Sequence, residues 1–61
     1  MSEETQVRQI EENIAGLERR IEALRKHHSA DTTVRISAIE SIIHSLKGHL
    51  AWHKRRLHEQ T

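Results

Sequence analysis

The stretch that decides the fold is Leu24-Arg25-Lys26-His27-His28-Ser29-Ala30-Asp31-Thr32-Thr33-Val34-Arg35-Ile36, because the apolar residues on its two sides are near mirror images. Before it run Val7, Ile10, Ile14, Leu17, Ile21 and Leu24; after it run Ile36, Ile39, Ile43, Leu46 and Leu50, then His53 and Leu57. Each set advances by alternating steps of three and four, the period of one apolar seam along an α-helix. Folding back at Ala30 sets Leu24 against Ile36, Ile21 against Ile39, Leu17 against Ile43, Ile14 against Leu46 and Ile10 against Leu50. The pattern predicts an all-α fold, an antiparallel two-helix hairpin packed like a coiled coil.

The expected layout is a single domain, 1–61, with a helix over about 3–28, a turn over about 29–32 and a helix over about 33–58. Ser2 can cap the first helix, and Glu3 and Glu4 complement its dipole. Arg25, Lys26, His27 and His28 suit its negative end. Ser29 to Thr33 are residues that cap and turn more readily than they propagate a helix, and Asp31 or Thr32 is the expected cap of the second helix. The competing layout is one continuous helix. Carried forward from Val7, Ile14 and Ile21, the heptad phase would put core positions at 35 and 42, whereas the seam sits at 36 and 43. A skip within one long helix would produce the same slip. The poor helix formers of the linker and the need to bury the seam favour the hairpin.

Charge patterning agrees. In the hairpin, Glu4 and Glu11 flank Lys54 and Lys47, Glu18 flanks Lys47, and Arg25 flanks Glu40, all of opposite sign. Each exposed pair contributes only about 0.2–1 kcal/mol, but the wrong register would bring like charges together.

The other flank has no such complementarity. Gln6, Asn13, Arg20 and His27 meet Arg35, Ile42, His49 and Arg56, with Gly16, Ala23, Ala38, Ser45 and Trp52 just outside. Burying an Ile is worth about 1.5–3 kcal/mol, and Ile42 has no partner within two helices. A chain of 61 residues buries only about 60% of the surface it exposes when unfolded. With no Cys, neither disulfides nor thiolate metal sites can supplement that core, which leaves oligomerisation. The favoured product is a homodimer, a C₂ pair of hairpins forming a four-helix bundle. Its expected interface is Asn13, Gly16 and Arg20 from the first helix with Ile42, Ser45, His49 and Trp52 from the second. The layout resembles the Rop family of short hairpins that dimerise into four-helix bundles. No motif is shared, so the RNA-binding role of that family is not implied.

Function follows from this as protein–protein association: an adaptor, or an inhibitor or regulator of a larger protein partner, expected in the cytoplasm. A net charge of +1 does not call for a polyanion, and no apolar run is long enough for a membrane span. The nucleic-acid alternative rests on the basic end of the second helix, where Lys47, Lys54, Arg55 and Arg56 could meet phosphates and Trp52 could stack on a base. A third reading comes from the six His residues. His49 and His53 stand four apart on one helix, the spacing of two ligands to one ion, with Glu11 across the seam as a third. A seam His53 is otherwise a buried or half-buried polar layer that specifies register, and acid pH is expected to loosen a bundle that buries it. Neither an enzyme nor a cofactor is expected: Cys and Tyr nucleophiles and a Gly-rich phosphate loop are absent, and two helices enclose no cleft. Ser37, Ser41 and Ser45 read as helix surface.

Overall fold

The computed structural model describes residues 2–27 and 29–59 and contains two helices, α1 (Glu3–Leu24) and α2 (Ala30–Glu59). Among the described residues there is no strand. The molecule is a rod of 47 × 14 × 14 Å, a length close to the roughly 45 Å expected of a helix as long as α2. Contacts between the beginning of α1 and the end of α2, Glu3 with His53 and Glu11 with Lys54, show that the helices run antiparallel. The continuous helix is thereby replaced by the hairpin.

Both helices start with the same device. The Thr5 N–H donates to Ser2 Oγ at 3.2 Å, and the two hydroxyls lie 2.8 Å apart. The Thr32 N–H donates to Ser29 Oγ at 3.2 Å, again with the hydroxyls 2.8 Å apart. Each serine satisfies a backbone donor that the first turn leaves without a partner. The cap of α2 is therefore Ser29, not Asp31 or Thr32, and α2 begins three residues earlier than the expected 33. Asp31 instead occupies the first turn, where its charge complements the dipole. Thr32, 8% exposed, extends the seam.

At the other boundary α1 stops at Leu24, four residues short of the expected 28. The Arg25 N–H still donates to Ile21 at 2.9 Å, but Lys26 and His27 donate three residues back, to Ala23 at 3.4 Å and Leu24 at 3.0 Å. This tightening satisfies helix-end carbonyls without a left-handed glycine. His28 lies outside the described residues.

The seam packs as its period requires. Ile14, Ile21 and Ile43 form the buried core, with Ile10, Leu17, Ile36, Ile39, Leu46 and Leu50 partly buried against it. Val7 extends it toward the open end. Among the described residues no side chain is sealed completely, because two helices can cover each other along one line only.

Candidate interaction surface

The two flanks of the seam differ in chemistry. On the charged flank, Lys54 Nζ lies 3.4 Å from Glu11 Oε2. Farther toward the turn, Glu18, Arg25, Glu40 and Lys47 border one shallow groove floored by Ile21 and Ile43. Arg25, just past the end of α1, does not pair with Glu40 but turns back to Glu22 of α1, at 3.8 Å. At the open end, His53 Nδ1 meets Glu3 Oε1, and both side chains are only 18% exposed. His53 thus is a polar layer, and its partner comes from the first turn of α1.

The three candidate metal ligands of the third reading, His49, His53 and Glu11, are not brought together. Glu11 is held by Lys54 on the charged flank and His53 by Glu3, while His49 lines a concavity with Gly48, Trp52 and His53 on the opposite side. Among the described residues no three His, Asp or Glu side chains converge as a metal site. Helical spacing sets His49 and His53 near each other, but the level of Glu11 along the seam does not fix the side of the seam on which it stands.

The basic end of α2 is also partly engaged. Lys54 is paired with Glu11, and the Arg56 guanidinium lies 4.8 Å from the centroid of the Trp52 ring, a cation–π contact that covers one stacking face. The rings of Trp52 and His53 meet edge to face at 4.9 Å. Lys47 and Arg55 are exposed. The cluster retains a basic character, with two of its members already committed within the hairpin.

On the remaining flank, Ile42 is 50% and Trp52 53% exposed, and Val34, which the sequence reading did not single out, is 68% exposed. Positions 34, 38, 42, 45, 49 and 52 advance by steps of three and four, so these side chains share one outer face of α2. That same period was the signal that could have included Val34. Asn13, Gly16 and Arg20 of α1 border a separate hollow beside Leu17 and Leu46. Neither glycine is required by the hairpin. A Cβ on Gly48 would meet nothing within 4 Å, and one on Gly16 would touch only the end of Arg19 at 3.9 Å. Among the described residues no helix is long and apolar enough to cross a membrane.

Comparison with known proteins gives no match to a family model, a curated protein or a solved structure. The likeness to Rop-type hairpins therefore stands on layout alone.

Proposed function

We propose that this protein is a non-enzymatic helical hairpin that pairs with a second copy into a four-helix bundle and acts in the cytoplasm through protein–protein association, as an adaptor or as a regulator of a larger protein. One observation carries the proposal: the large exposed apolar side chains, Val34, Ile42 and Trp52, fall on a single face of α2 rather than being scattered. Scattered surface apolars need no explanation, but large apolar side chains aligned on one face of a helix favour a contact there. The half-open core and the two glycines with no role inside the hairpin support the same reading, since small residues let helices approach closely.

Sedimentation equilibrium over a wide concentration range tests it. The expected result is a monomer–dimer equilibrium that Ile42→Lys shifts to monomer while far-UV circular dichroism stays helical. A folded wild-type monomer at every concentration overturns the proposal.

A further inference from the structure

Resting on that self-association, we infer that the two copies meet α2 against α2, antiparallel, with Trp52 of each subunit seated on Ile42 of the partner subunit and Arg35 opposite Glu59 of the partner subunit. The geometry starts from a second heptad stripe on α2. From Arg35 through Ile42 and Trp52 to Glu59, positions again advance by alternating steps of three and four. Ile42 and Ile43 are consecutive, so this stripe is turned by about 100° from the buried seam. A helix in a four-helix bundle contacts two neighbours at roughly that angle. Ile43 is buried against α1 and Ile42 faces outward.

Helix α1 offers no equivalent. Its corresponding positions are Gln6, Gln9, Asn13, Gly16 and Arg20, so the apolar stripe of α2 finds its match in a second α2. Charge then sets the direction. A parallel pair would place Arg35 on Arg35 and Arg56 on Arg56. The antiparallel pair centred between Ser45 and His49 brings apolar to apolar at Trp52 and Ile42 and opposite charges together at Arg35 and Glu59. Among the described residues, neither Arg35 nor Glu59 takes part in an ion pair within the hairpin. The same register brings Gly48 of one subunit beside Gly48 of the partner subunit, giving a use to a residue that destabilises a helix interior relative to Ala. A stripe about 36 Å long and 10 Å wide covers only roughly half of the 800 Å² per partner of a standard interface. The adjacent row of Asn13, Gly16 and Arg20 supplies the remainder by meeting α1 of the partner subunit.

Charge reversal and one distance test the arrangement. Arg35→Glu should weaken the dimer about tenfold by sedimentation, and adding Glu59→Arg should restore it to within about threefold. Because the chain has no Cys, a spin label on Ser37→Cys, an exposed position away from the stripe, reports a single distance. The expected label separation is about 30–35 Å, set by the helical rise on either side of the dyad. A separation near 20 Å or less, meaning another register or a parallel pair, overturns the inference, as does a dimer indifferent to Arg35→Glu. In those cases a dimer still broken by Ile42→Lys leaves the self-association standing. A wild-type chain that never dimerises removes both.

Discussion

Ser29 determines where the second helix starts. Its hydroxyl accepts from the Thr32 N–H, its carbonyl accepts from the Thr33 N–H at 3.2 Å, and the Thr33 hydroxyl donates to the same carbonyl at 3.2 Å. Replacing it by Ala leaves a helix-start donor unsatisfied next to the buried Thr32. Ser29→Ala should therefore cost about 1 kcal/mol in urea unfolding, within the range known for such caps. Ser2→Ala, at the open end of the rod where the cap is exposed, should cost less. The cap at Ser2 was legible in the sequence and the one at Ser29 was not, although Ser-Glu-Glu-Thr at 2–5 and Ser-Ala-Asp-Thr at 29–32 share the serine and the threonine three residues on. Asp31 and Thr32 are equally good capping types, and only the backbone path decides which oxygen reaches a free N–H. The partner of His53 was less legible, because nothing in the periodicity says that Glu3 reaches across to it.

The helices are held by one line of contact, and its weight falls on few residues. Ile14 and Ile21 are each 6% and Ile43 7% exposed, whereas their neighbours along the seam are only partly buried. Truncating Ile21 to Ala removes a core side chain where the surroundings cannot collapse onto the gap. The expected loss is about 2–4 kcal/mol, a large share of the 3–9 kcal/mol typical of a chain this size. Chemical denaturation should show a much lower midpoint, and a change below about 1 kcal/mol would mean that the seam does not carry the fold. This element-scale pattern was the most readable part of the sequence, since a period of three and four admits few alternatives. The charged flank was readable in sign but not in partner. Glu11 found Lys54, while Arg25 stayed with Glu22, because long side chains choose among several neighbours within reach.

At the scale of the molecule, a two-helix rod leaves its core half-covered, and its stability should depend on how much of it is paired. If dimerisation completes the core, the melting temperature should rise with concentration, by about 5 °C or more across a hundredfold range. A melting temperature independent of concentration would count against association. By itself the sequence determined that the chain is helical and which faces are apolar, and it favoured a reversal near Ala30 over one continuous helix, because helical period and turn chemistry are local properties carried by neighbouring residues. Only the tertiary structure decided that α1 ends at Leu24, that Ser29 caps α2, that Glu3 meets the His53 ring nitrogen, and that Glu11 and His49 stand on opposite flanks. The first two depend on the backbone path through the turn, and the last two on the rotation of one helix about its axis relative to the other, which is set by the packing of the seam as a whole.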